Sequence, residues 1–243
     1  MLQICMEIKN IFLNSVNSTN DYAKKHMSQF DPSALTCIFA EEQVAGYGSH
    51  HRSWISTKNK DILATFYFHL PEKISNLTCL GYLMAFTLCQ ILISYTLAPM
   101  IKWPNDILLS QKKLSGILGE TKDNGTNIFL GIGINVNSDV EDLKHIDQPA
   151  TSLKIETGHL WDIKKLQNEL QISFLKNLNI FKTQGFVFFH PLINELLAKK
   201  GEEISFLENG EKRIGKIQNI TKDGYLKLLL PDGTTKNIYS TNL

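Results

Sequence analysis

The feature that most constrains the fold is a charge-free run, LGYLMAFTLCQILISYTLAPMI, from residue 80 to residue 101. About 20 apolar residues are enough to cross a bilayer, so length alone leaves a membrane span open. Gln90, Ser94, Tyr95 and Pro99 dilute the run, and it stands alone in the sequence. A buried core helix is therefore expected, with Asn76 or Ser75 as its N-cap. A chain of 243 residues, 43% hydrophobic and 20% charged, is long enough to enclose such a helix.

Charge and cysteines narrow the setting. A formal net charge of +1 carries no electrostatic commitment to nucleic acid or to an anionic membrane surface. Cys5, Cys37, Cys79 and Cys89 form no CxxC pair, and three lie in apolar runs where a reduced thiol behaves as a small core residue. Glu7, Lys9 and Asn10 interrupt the N-terminal apolar stretch, which argues against a signal peptide. A reducing, cytoplasmic location is the expectation.

Along the chain, STNDYAKKHM reads as helix, ALTCIFAEE as a strand entering a loop, and ILATFYFHL as a second strand. After the long helix, MIKWPNDILLSQKKLSGILGETK reads as strand, proline turn and two strands around Ser110 to Lys112, and NIFLGIGINVNS as a further strand. Two helices follow, LWDIKKLQNELQISFLKNL and HPLINELLAKK, the second with Pro191 at its start and Gly201 after its end. Beyond Glu202 the hairpin signals ENGEK, KDGYL and PDGTT alternate with short apolar strands. The expected architecture is α+β, a mixed sheet with packed helices over residues 1–198 and a small β-barrel module over 199–243.

Three clusters carry the chemistry. In AGYGSHHRSW, Gly46 and Gly48 serve either a turn or close ligand approach, and no Walker lysine follows them. The side chains of the adjacent His50 and His51 diverge in an extended loop, and no other metal-ligating residue stands at zinc spacing beside them. In KWPNDILLSQKKLSGIL, Lys102 and Asp106 bracket a turn stiffened by Pro104, and Gly116 lies three residues beyond Lys113. In GIGINVN, Gly131 and Gly133 weaken a strand unless a ligand or backbone comes close. Several backbones make room for one ligand.

Taken in order, NSTNDY, AEEQVAGYGSHHRSW, KWPND, KKLSGIL, GIGINVN and ATSL resemble the biotin-protein ligases along almost the entire chain. The resemblance implies a class II synthetase-like catalytic fold with a C-terminal SH3-like barrel. It implies a two-step reaction: ATP activates biotin to biotinyl-5'-adenylate, and biotin passes to a lysine of a biotin carboxyl carrier domain, such as that of acetyl-CoA carboxylase. AMP and pyrophosphate are released. By motif position, Lys113, Lys102, Asp106 and Arg52 would be catalytic. Ser18, Thr19, Asn20, Gln43, Gly46, Tyr47, Gly48, Ser49, Lys113, Gly116, Gly131 and Gly133 would bind biotin. Arg52, Trp54, Lys102, Asn105, Lys113 and Asn135 would bind the nucleotide. No protein-only metal cluster is expected; Mg2+ would arrive with ATP, near Asp106.

The loop departs from the family. Where relatives usually read Gly-Arg-Gly-Arg, this chain has Gly46-Tyr47-Gly48-Ser49, and only Arg52 remains. Neither tyrosine nor serine replaces a guanidinium fork electrically, so weaker retention of the adenylate is expected, with His50 or His51 compensating when protonated. A lipoate-protein ligase and a biotin-binding protein impaired in catalysis are the alternatives. A DNA-binding repressor is disfavoured, because too few residues precede Ser18 for a helix-turn-helix domain and no basic footprint is present. The expected partner is a carrier domain, with no nucleic acid or membrane, and the state is a monomer or weak homodimer.

Overall fold

Two parallel strands, β1 (Ile8–Leu13) and β2 (Leu35–Ala40), stand at one edge of the main sheet. Parallel neighbours require a crossover, and α1 (Thr19–His26) lies in the connection between them. The computed structural model describes residues 6–49, 52–72, 76–208 and 210–239. Cys5, Ser75, His50 and His51 lie outside the described residues.

β3 (Ile62–His69) runs antiparallel beside β2 and leads into α2 (Thr78–Ser94). The charge-free run thus splits: α2 takes its first part, and its last residues, after Thr96 and Pro99, enter β4 (Met100–Lys102). Twelve residues of α2 are buried, including Tyr82, Leu83, Leu88, Cys89 and Leu92. Asn76 supports the first turn from outside it, accepting the Thr78 N–H on Oδ1 at 3.0 Å. Among the described residues no helix is long and apolar enough to cross a membrane.

β5 (Asp106–Leu109), β6 (Lys112–Lys122) and β7 (Asn127–Ile134) complete a seven-stranded mixed sheet of order β1-β2-β3-β7-β6-β5-β4. α3 (Val140–Leu143), α4 (Leu153–Thr157), α5 (Ile163–Gln184) and α6 (Phe186–Glu195) follow. Strand residues alternate between faces, so Phe66 and Phe68 of β3 meet Phe174 of α5, at 5.2 and 5.8 Å between ring centres. Thr65 and Tyr67 turn to the other face, which α1 covers through Ala23.

Two elements differ from the sequence reading. β1 is an added edge strand, half-exposed and without clean alternation. α6 begins five residues before Pro191, which stands inside the helix rather than at its start. The cause is Gly185, whose left-handed φ of 69° ends α5 and lets Phe186 and Phe189 pack on Tyr82 and Phe86.

β8 (Glu203–Glu208), β9 (Glu211–Ile220), β10 (Leu226–Leu229) and β11 (Thr235–Ile238) form a four-stranded antiparallel sheet, consistent with an SH3-like module. Gly210, Gly224 and Gly233 adopt left-handed φ in its three turns. Asn194 of α6 clamps the end of β9, accepting the Ile220 N–H at 2.7 Å and donating to the Ile220 carbonyl at 3.0 Å.

Candidate active site

Strand register assembles the site on the α1 face of the main sheet. Lys102 stands opposite Asp106, Asp106 opposite Gly116, and Gly116 opposite Gly133, giving one transverse row of cation, carboxylate and two glycines. The next row places Leu118, Gly131 and Thr65 side by side. With no side chains at Gly116, Gly131 and Gly133, the floor of the cavity is backbone.

The loop after β2 closes over that floor. Its Trp54 N–H donates to the Gly46 carbonyl at 2.9 Å and its Gly48 N–H to the Arg52 carbonyl at 2.7 Å, forming a short hairpin. This lays the Trp54 ring on the glycines: a Cβ at Gly133 would stand 2.3 Å from the ring, and one at Gly116 3.0 Å. Either contact would displace the ring. Gly46 has a different part, since a Cβ there would meet Gln43 Nε2 at 2.8 Å. It lets the loop double back on Gln43 and does not line the cavity.

The cationic end is tightly paired. Lys113 Nζ lies 2.7 Å from Asp106 Oδ1 and 5.6 Å from the centre of the Trp54 ring, while Lys102 approaches Asp106 at 3.9 Å. Asp106 is nearly buried, so it fixes Lys113 over the glycine floor. Asn105 donates to the Ile117 carbonyl at 2.8 Å and to Ser49 Oγ at 3.1 Å, tying the proline turn to the loop. Arg52 is exposed at the rim. Among the described residues no group of three His, Cys, Asp or Glu side chains converges as metal ligands.

The opposite end is rich in hydroxyls and amides. Ser18 caps α1, accepting the Asp21 N–H at 3.4 Å. Gln43 Oε1 accepts the Thr19 N–H at 2.7 Å and faces Thr19 Oγ1 at 3.0 Å. Thr65 Oγ1 lies 2.8 Å from Thr19 Oγ1 and 2.6 Å from Asn20 Oδ1. Two hydroxyl protons thus serve three side-chain contacts, so one of these contacts always lacks a proton. A ligand bringing its own N–H donors would relieve that shortage.

Asn135 terminates the floor. Its Nδ2 donates to the Thr151 carbonyl at 2.9 Å, and its buried Oδ1 has no partner among the described residues. The segment that follows is pinned by Asp61, which accepts the Val136 N–H at 3.0 Å and the Ser138 hydroxyl at 2.8 Å. Burial raises the Asp61 carboxyl above its ordinary value.

Together these walls enclose a cavity of about 810 Å³, bounded also by His145, Asp147 and Gln148. Every residue expected at the site lines it except Gly46. Asp61, and the segment from His145 to Gln148, had no signal in periodicity or motif.

A family model described as "Biotin/lipoate A/B protein ligase family" matches residues 12–137. The chain belongs to this family. Within it, the bifunctional ligase/repressor BirA of Bacillus spizizenii is 28% identical over 96% of this chain and 73% of its own length. The biotin--[acetyl-CoA-carboxylase] ligase of Paracoccus denitrificans is 29% identical over 91% of this chain and 94% of its own. Among solved structures, a biotin protein ligase from Aquifex aeolicus in complex with biotin and ATP superposes with a TM-score of 0.82 at 29% identity, covering 96% and 97% of the two chains.

Proposed function

We propose that this chain is an ATP-dependent biotin-protein ligase, with residues 1–198 as its catalytic part and 199–243 as an accessory module. The observation that carries this reading is one cavity with a donor-poor amide and hydroxyl end and, across a backbone floor, the Lys113–Asp106–Lys102 end. A ureido ring offers the N–H donors the first end lacks. The acid's apolar stem lies along the glycine strip, and its carboxylate reaches Lys113.

In the first step a carboxylate oxygen bonds to the α-phosphorus of ATP and the bond to pyrophosphate breaks. Two anions must meet, and Lys113 and Lys102 offset their repulsion and the charge developing on the phosphoryl oxygens. Arg52 at the rim suits the polyphosphate. Asn135 Oδ1 is an unused acceptor for the exocyclic amine of adenine, and Trp54 covers the nucleotide. Mg2+ would enter with ATP, Asp106 would be the carboxylate to hold it, and it would offset charge on the phosphates. In the second step a carrier lysine amine bonds to the acyl carbon, AMP leaves, and the amine sheds a proton.

Incubating the protein with biotin, ATP, Mg2+ and a biotin carboxyl carrier domain, beside a lipoate control, tests this. One biotin-sized mass gain on one carrier lysine is expected. A gain with lipoate instead assigns the sister activity, and binding of biotin without transfer would reduce the protein to a binder.

A further inference from the structure

The Tyr47 hydroxyl sits in a charge cluster that the proposed reaction does not use. It accepts from Lys24 Nζ at 3.0 Å, donates to Asp21 Oδ1 at 2.8 Å and lies 3.3 Å from Glu120 Oε2. Lys24 pairs in addition with Asp21 at 2.8 Å and with Glu120 at 2.9 Å. One cation against two carboxylates leaves the cluster at −1, and without Lys24 it would stand at −2 beside a cavity that must admit an acid.

From this cluster a continuous hydrogen-bonded path enters the cavity. Glu120 Oε2 accepts Asn20 Nδ2 at 2.7 Å, Asn20 Oδ1 faces Thr65, and Thr65 leads to Thr19 and Gln43. Tyr47 is also in the middle of the loop hairpin, bridged to Ser53. Among the described residues, the hairpin reaches the body of the protein through Tyr47, the Ser49–Asn105 bond and the Trp54 ring beside Lys113. Burial works to raise Asp21 and to lower Lys24, but their mutual hydrogen bonding, with Tyr47 between them, outweighs it and holds both charged.

We propose that Tyr47 and Lys24 are a positioning pair: Lys24 offsets one of the two carboxylate charges on α1 and β6, and the Tyr47 hydroxyl fastens the loop hairpin to them, setting the polar end of the cavity. Tyr47, which lines the cavity, then also acts on the acid through the loop and the Glu120–Asn20 path. That the acid is biotin rests on the function proposed above; the tether does not.

Tyr47→Phe keeps the ring and removes the hydroxyl. The expected result is a KM for biotin raised about tenfold, in the range of one charge-assisted hydrogen bond, with the KM for ATP moved less than about twofold. Hydrogen exchange of the Gly48 and Trp54 amides should accelerate about tenfold in the protein alone. Lys24→Met should raise the biotin KM likewise, and Lys24→Arg should restore it. Unchanged exchange at Gly48 and Trp54 overturns the tether, as does an equal rise in both KM values, which marks general damage. If the protein transfers neither acid, the exchange measurement still decides the tether, so the two proposals fail separately.

Discussion

Ser49 holds its place on the cavity wall through a neutral hydrogen bond from Asn105 at 3.1 Å. Arginine there would give up about 1 kcal/mol of such bonding and gain charge-assisted bonds of roughly 1.5–3 kcal/mol to an acyl phosphate. Ser49→Arg is therefore expected to slow biotinyl-adenylate escape about tenfold in a chase of preformed complex. Escape at the original rate would mean that the missing loop charge does not govern retention. At this scale the sequence was most legible where chemistry restricts residue type: Lys113, Asp106, Gly116, Gly131 and Gly133, picked out by their motifs, line one cavity. Gly46, picked out by the same motif reading, makes room for Gln43. Lys24 and Glu120 were illegible because their partnership spans 96 residues and neither breaks the pattern of its own helix or strand.

At the level of elements, the junction between β3 and the segment after β7 depends on Asp61, which is buried with hydrogen bonds to Ser138, Val136 and Thr57. Its folded pKa lies above the unfolded one, so its protonated form favours the fold, and this contribution grows as pH falls and fades as pH rises through the folded value. Asp142 has the opposite sign: burial opposes, but the hydrogen bonds from Lys60, the Asp139 N–H and Thr57, with the Lys60 charge, together outweigh it, and the resulting support is lost as pH falls. Asp61→Asn should cost about 1–2 kcal/mol, with a deficit against the native chain that is larger at pH 4 than at pH 7 in urea denaturation. A deficit larger at pH 7 would mean that the ionised carboxylate is the stabilising form. Strands and helices with strong periodicity were readable in the sequence. β1 was not, since an edge strand half in solvent needs no alternation, and α6 was misplaced because a proline signal outweighed the Gly185 break.

Across the whole molecule, buried apolar side chains run without interruption from β3 through α2 and α6 to Phe206, Ile217 and Leu228 of the smaller sheet. Phe189, 1% exposed and edge-on to Phe86 at 5.7 Å, sits in that path. Phe189→Ala should cost about 3–5 kcal/mol and shift tryptophan fluorescence, which reports the main sheet, together with amide exchange in β10. Separate midpoints would show that the two sheets unfold independently. Turn chemistry made the smaller sheet readable, whereas its docking on α6 depends on Asn194 and on apolar surface that a linear pattern does not pair.

The placement of α2 has a consequence for how the chain is made. Its apolar surface is covered in part by α5 and α6, the last of which ends at Glu195, about 100 residues after Ser94. At about 5–20 residues per second of synthesis, a charge-free helix waits roughly 5–20 seconds for its cover. The segment buried at the centre of the finished molecule thus stays exposed on the ribosome until its cover is made, and slower translation of the second half is expected to lengthen that exposure.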